Sequence, residues 1–446
     1  MPTNVKENGF ESSIVSWLVQ HNGYEQGSNA DYNKEIAMDE TRLFRFLNTT
    51  QADKMKQLRL ENDPLEKEKF LQRLDQSLHT NGVIDLLRKG FRYKHLVLDM
   101  FYVRPSPGNE TAAKLYAQNI FSVTRQLQYS RQNPLLALDV CLFLNGLPIA
   151  TMELKNQLTK QNAADAVKQY KDERTPDEVL FGFKRCIVHF AVDDNEVRMC
   201  TELKGQKSWF LPFNKGYNDG AGNPPNPDGI KTDYLWKEIL RKDDFSNIIE
   251  NYVQIICDED EETHKKSYKQ IFPRYHQLQL VTSLLADAKR DGVGKRYLIQ
   301  HSAGSGKSNS IAWLAHQLVT LKDATDHNIF DTVIVVTDRV NLDKQIRNTI
   351  RQFMQVSSTV GWAKDSSELG TLLEKGTKII ITIVHKFQFI LEDISKLHTN
   401  RSFAILIDEA HSSQNGDLST KMNIVLSGSE YDNDDLLEDK LSLIHI

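Results

Sequence analysis

The pattern of apolar and polar positions changes its period twice along the 446 residues. Near the start, Phe10, Ile14, Trp17 and Leu18 recur at helical spacing and predict an amphipathic helix. Residues 54–90 continue as polar, helix-rich sequence with apolar stripes. The period then shortens. His95–Val103, Pro134–Leu144, Leu147–Lys155 and Arg185–Val192 are rich in apolar and β-branched residues and predict strands. Residues 214–229 are dense in Gly, Asn and Pro and predict an exposed irregular loop. A helical stretch runs from Thr232 to about Cys257, and the acidic run Asp258–Glu262 reads as a solvated linker.

Beyond about residue 263 the pattern changes again. Tyr297–Gln300, Thr332–Thr337, Lys378–Val384 and Phe403–Ile407 are continuous apolar runs separated by helical sequence. Strands that are apolar at every position belong to a sheet covered on both faces, so a parallel α/β domain is expected. The expected organisation is an α/β domain over 1–229, a helical and acidic linker over 230–262, and a parallel-sheet domain over 263–446.

Composition adds limits. With 40% hydrophobic and 26% charged residues, the chain can build two or three ordinary cores. No apolar run approaches the roughly 20 residues of a membrane span. The N-terminal residues lack an apolar signal core. Four scattered cysteines contain no CxxC pair, so neither a zinc site nor a disulfide framework is expected, and a reducing cytoplasm fits best. A net charge of −5 argues against a uniformly basic surface but leaves room for a local DNA-binding groove.

The run Tyr297–Gln300 leads into His301-Ser-Ala-Gly-Ser-Gly-Lys-Ser308, and Ile311, Leu314, Ala315 and Leu318 then mark one face of a helix. Strand, glycine-rich loop and helix are the setting of a phosphate loop. Gly304 and Gly306 let the backbone curl around Ser305, and the helix N-terminus favours negative charge. Lys307 would reach the β- and γ-phosphates of ATP, and Ser308 would bind Mg²⁺. His301 stands where the strict pattern has glycine; only the looser form of the motif is met. Phe403–Ile407 ends in Asp408-Glu409-Ala410-His411. A carboxylate at the carboxyl end of a parallel strand faces the phosphate crevice. Asp408 would hold Mg²⁺, Glu409 would orient or deprotonate the attacking water, and His411 would sense the γ-phosphate side.

In the first half, Asp139 interrupts an otherwise apolar run, where a charge is costly unless paired or used. Glu153-Leu-Lys155 ends the next predicted strand, after an Asn145-Gly146 turn signal. Alternation puts Glu153 and Lys155 on one face. Two carboxylates on neighbouring strands can hold a divalent metal that activates water, with the lysine stabilising developing charge. Register is the weak point. A plain two-residue turn sets Asp139 opposite Met152, facing away from Glu153. An odd-length loop or a bulge near Pro148 is therefore expected, because a one-residue shift moves every side chain to the other face.

These motifs resemble known families. GSGKS followed by DEAH is similar to the superfamily 2 helicases and translocases. There Phe272-Pro-Arg-Tyr-His-Gln277 resembles the glutamine motif that reads adenine, and Arg339 and Lys386 lie in segments that resemble backbone-contact motifs. Asp139 with Glu153-Leu-Lys155 resembles the PD-(D/E)xK nuclease core. That family often adds Gln-x-x-x-Tyr on the following helix; here Lys168-Gln169-Tyr170 stands in that region without that spacing. Glu11 stands where related nucleases can supply another acid, although a solvated helix-face glutamate is the plainer reading. The order nuclease, linker, motor resembles the restriction (R) subunit of type I restriction–modification enzymes.

That resemblance implies a fold, an activity and partners. The fold is a PD-(D/E)xK α/β domain followed by a RecA-like domain, with the second RecA-like domain missing after the terminal LSLIHI sequence. The activity is ATP-driven translocation of duplex DNA with cleavage away from the recognition site. The partners are methylase and specificity subunits, the cofactors ATP and Mg²⁺. A chain without a second motor domain is expected to be a weak ATPase. The residues alone reach only an ATP-dependent motor fused to a metal nuclease. A repair helicase–nuclease, or an ATP- and DNA-binding fragment without turnover, stays open beside it.

Overall fold

A computed structural model describes residues 7–105, 108–156, 160–259, 263–302, 304–337, 349–350, 360–363, 366–383, 401–408 and 441–445. The chain divides into two compact units, 1–276 and 277–446. Residues expected as a linker pack within the first. A π-helical turn, Leu235–Ile239, lies against the first helix, and Asn22 Nδ2 donates to the Trp236 carbonyl at 2.7 Å. The apolar positions Leu235, Trp236, Ile239, Phe245, Ile248 and Ile249 are all buried. A linker has no such core, so the helical stretch belongs to the first unit.

The first unit is built on a mixed seven-stranded sheet. The N-terminal helix α1 (Glu7–Gln20) buries Phe10, Ile14 and Leu18 as the spacing predicts. The strands are β1 (Glu25–Gln26), β2 (Phe121–Gln128), β3 (Ala137–Leu144), β4 (Leu147–Leu154), β5 (Val188–Val192), β6 (Val197–Cys200) and β7 (Leu211–Pro212), adjacent in that order. β2, β3 and β4 are successive antiparallel neighbours; β4 and β5 are parallel, joined through helix α2 (Ala163–Asp172). A parallel pair needs such a crossover. The helix starts where Asn162 and Asp165 form a reciprocal capping box. Every residue of β4 is buried, which follows from its central place between β3 and β5 with both faces covered.

The turn between β3 and β4 has two residues, Asn145 and Gly146, both in the left-handed region at φ 52° and 83°. Such a turn matches the twist of paired strands. A Cβ on Gly146 would come within 2.4 Å of the Asp39 carbonyl oxygen, so no larger residue fits. Leu144 pairs with Leu147 and Phe143 with Pro148; the register then slips, and Leu142 pairs with Ala150 and Val140 with Met152. The extra residue is Ile149, beside the proline that lacks a donor. The slip sets Asp139 opposite Glu153, the arrangement expected of a bulge.

The second unit carries a six-stranded parallel sheet, compatible with a RecA-like domain. Beyond β8 (Gln254–Glu259) and β9 (Lys266–Ile271), an antiparallel hairpin of the first unit, come β10 (Arg296–Leu298), β11 (Thr332–Thr337), β12 (Val360–Trp362), β13 (Ile379–Ile383), β14 (Phe403–Ile407) and β15 (Leu441–His445). Their spatial order is β10, β15, β14, β11, β13, β12. The interior strands β11 and β14 are buried throughout, as their unbroken apolar sequences require. Among the described residues no helix is long and apolar enough to cross a membrane. The four cysteines carry free thiols.

Candidate nuclease and nucleotide sites

Glu153 lies at the end of β4 with its side chain wholly buried. Burial pushes its carboxyl well above the ordinary range, and the Asp139 carboxylate beside it pushes the same way. The opposing influence is Arg174. Its Nε donates to Glu153 Oε1 at 2.6 Å, one Nη donates to Tyr129 Oη at 3.0 Å, and the other donates to the Ala137 carbonyl at 2.8 Å. Glu153 Oε2 is buried with no hydrogen-bond donor among the described residues. Lys155 stands two residues on, on the same face of the strand. Its N–H donates to the Val192 carbonyl at 2.8 Å, which extends the pairing of β4 with β5.

Asp139 is partly exposed on β3. Its Oδ2 accepts the Leu154 N–H at 2.8 Å, and its Oδ1 accepts from Gln126 Nε2 at 3.1 Å. The same Gln126 nitrogen donates to Glu11 Oε2 at 3.1 Å, while Arg125 Nε donates to Glu11 Oε1 at 2.8 Å. Glu11 is 2% exposed. The expected solvated helix-face glutamate is therefore corrected: α1 turns this acid inward, onto the strand beside Asp139. Gln169 on α2 is partly buried, and its Oε1 has no donor among the described residues. Its neighbour Tyr170 reaches β4, with its hydroxyl 2.8 Å from Thr151 Oγ1, two residues before Glu153. Thr151 Oγ1 also lies 2.7 Å from Nδ1 of the buried His189, whose pKa burial lowers to about 3.

Sequence reasoning missed Arg174 and Gln126. Arg174 follows the end of α2, beyond any periodic pattern, and its only sequence cue is a cation near a helix carboxyl end. Gln126 has one cue, a polar residue inside a strand, which is common on sheet surfaces.

In the second unit, the segment after β10 turns into helix α3 (Lys307–Val319). Gly304 and Gly306 both adopt left-handed backbone, at φ 73° and 82°. Lys307 Nζ lies 2.8 Å from Oδ1 of Asp408, which directly follows β14. The loop lysine and the strand-end carboxylate thus face one crevice. Gln277 is buried, and its Nε2 donates to the carbonyls of Ser305 at 3.1 Å and Gly306 at 3.0 Å. His301 Nδ1 lies 2.8 Å from Ser305 Oγ. The histidine in the glycine position thus braces the loop from within. Ser308 is the second residue of α3. Glu409, His411, Arg339 and Lys386 lie outside the described residues.

Along the chain, a mixed sheet that brings two acids together precedes a parallel sheet whose glycine-rich loop faces a strand-end carboxylate, an arrangement compatible with a RecA-like domain in the second unit. Comparison with known proteins gives the particular case. Residues 4–208 match the family described as type I restriction enzyme R protein N terminus, and residues 276–431 match the SWI2/SNF2 ATPase family. The chain is thus similar to the N terminus of type I restriction enzyme R proteins over its first half and to SWI2/SNF2 ATPases over its second. Over 315 residues it is 25% identical to the type I restriction enzyme HindI endonuclease subunit of Haemophilus influenzae, a match covering 68% of this chain and 28% of that protein. Over 424 residues it is 25% identical to the SauMSSORF170P endonuclease subunit of Staphylococcus aureus, covering 92% of this chain and 40% of that protein. A putative type I endonuclease subunit of Methanocaldococcus jannaschii, MjaVIIIP, is 22% identical over 346 residues, covering 70% of this chain and 31% of that protein. The matches cover about 28–40% of the length of these relatives.

Proposed function

We propose that this chain is the DNA-cutting and ATP-driven part of a type I restriction enzyme. The observation that carries the reading is the slip at Ile149, which brings Asp139 opposite Glu153 on the face that also bears Lys155. The nuclease domain is then of the PD-(D/E)xK kind. The donor set fits a divalent cation: two adjacent carboxylates with one buried oxygen lacking a donor. Among the described residues no three acid, histidine or cysteine side chains form a metal cluster. Asp139 and Glu153 would hold Mg²⁺ through two carboxylates, leaving its other positions to water and phosphate oxygens. The bound ion would supply an activated water and a polarised phosphodiester. Lys155 would stabilise charge on the phosphate, and Arg174 keeps Glu153 in place.

The second unit would bind ATP along Gly304, Ser305, Gly306 and Lys307, with Gln277 at the adenine side. Ser308 and Asp408 would hold its Mg²⁺. Glu409 would orient water and His411 would sense the γ-phosphate. Duplex DNA is the proposed substrate, moved by the motor and cut away from the recognition site. Methylase and specificity subunits are the proposed partners, and the cytoplasm the proposed place.

A nicking assay on supercoiled plasmid tests this. The chain should nick with Mg²⁺, and Asp139→Ala should stop nicking with ATP binding unchanged. Equal nicking by Asp139→Ala would remove the assignment.

A further inference from the structure

Gln126 occupies an unusual place. Its neighbours in β2 pair regularly, Arg125 with Val140 and Leu127 with Leu138, so Gln126 stands opposite Asp139. Yet its φ is 46°, in the left-handed region that a non-glycine residue rarely adopts inside a strand. Strain of this kind persists only where surrounding structure over-determines it. Here Asn29 Nδ2 donates to the Gln126 carbonyl at 3.1 Å, and the side chain meets two acids. One amide nitrogen donates to Asp139 Oδ1 and to Glu11 Oε2, each at 3.1 Å. Those two carboxylates come from β3 and α1, elements far apart in sequence. The remaining oxygens are held as well: Asp139 Oδ2 by the Leu154 N–H and Glu11 Oε1 by Arg125.

Resting on the nuclease reading above, we propose that Gln126 is a positioning residue for the metal site, fixing the Asp139 carboxylate through an amide bridge to Glu11. The bridge gives Glu11 a defined role. Its charge is taken up by Arg125 and Gln126, so it anchors the amide and leaves cation binding to Asp139 and Glu153. An amide donating to one lone pair of Oδ1 leaves the other free to bind metal and fixes the rotation of the carboxylate. Neighbours of this kind hold metal ligands in orientation, and their loss typically weakens metal binding about 10- to 100-fold.

The test uses Mn²⁺ as probe, read by the spin-resonance signal of free ion with nucleotide-free chain. Asp139→Ala identifies the site under test. Gln126→Met keeps the length and removes the donor; Gln126→Gly removes the donor and suits the left-handed backbone. Both should weaken Mn²⁺ binding at the Asp139-dependent site by roughly 10- to 100-fold, with the Gly variant folded as judged by thermal melting. Wild-type affinity in Gln126→Gly would show that only backbone shape matters and overturn the proposal, as would wild-type affinity in Gln126→Met. Should Asp139→Ala itself bind Mn²⁺ normally, the metal-site reading fails at its root. Loss in Asp139→Ala with both Gln126 variants intact leaves that reading standing and removes Gln126 alone.

Discussion

Arg174 Nε sits 2.6 Å from Glu153 Oε1, and neither side chain is more than 2% exposed. A buried pair of this kind is weak evidence of net stabilisation, but removal of one member is costly because the other is left as an uncompensated buried charge. Arg174→Met should destabilise the first unit by about 3–5 kcal/mol, read by urea unfolding. The folded pKa of Glu153 is raised, so its linked stability is present below the ordinary carboxylate range and is lost as pH rises. The variant should therefore suffer more at pH 8 than at pH 5. Equal loss at both would mean that Glu153 is not the charge left behind.

His189 titrates in the opposite sense. Its pKa falls from 6.5 to about 3 because burial disfavours the imidazolium. Stability linked to it is present above about 6.5 and is lost as pH falls toward about 3, at up to about 1.4 kcal/mol per pH unit. His189→Gln should flatten the dependence of urea midpoint on pH between 6 and 4. An unchanged slope would place the acid sensitivity elsewhere.

Lys307→Ala should weaken nucleotide binding at least about 10-fold, the scale of one charge-assisted hydrogen bond of 1.5–3 kcal/mol. Calorimetric titration with ATP and Mg²⁺ is the measurement. Unaltered affinity would remove the phosphate-loop assignment.

Gly306→Ala probes the loop itself. The new Cβ would lie 2.4 Å from Gln277 Nε2 at a backbone φ of 82°. The amide would have to leave its two carbonyl partners, and the left-handed conformation would add about 1–3 kcal/mol. Weaker ATP binding is expected, with Gln277→Ala reproducing part of it. Wild-type affinity in both would show that the clamp is not needed for nucleotide.

Much of this architecture was legible in the chain. The strands Thr332–Thr337 and Phe403–Ile407 occur as their apolar runs predict, since burial on both faces leaves a continuous signature. The slip near Pro148 also followed from the parity of side-chain alternation. Other features left no such trace. Periodicity reports apolar faces, so it placed Glu11 in water, whereas the helix buries it against Arg125 and Gln126. Arg174 and the clamp of Gln277 on the loop carbonyls depend on tertiary approach, which no local spacing encodes. The stretch after Thr232 read as a linker because its charges mask an apolar face that packs on α1.

The bulge at Ile149 has a consequence for how such a chain can change over generations. Between Asp139 and Glu153 the hairpin behaves as a counting device with an odd tooth. Loss of a single codon at Ile149 would straighten the strand, keep its hydrophobic composition, and turn the acid and lysine out of phase with Asp139. Two-codon changes preserve phase and one-codon changes reverse it. Tolerated length variation in this hairpin should therefore come in even steps, or in odd steps accompanied by a compensating bulge.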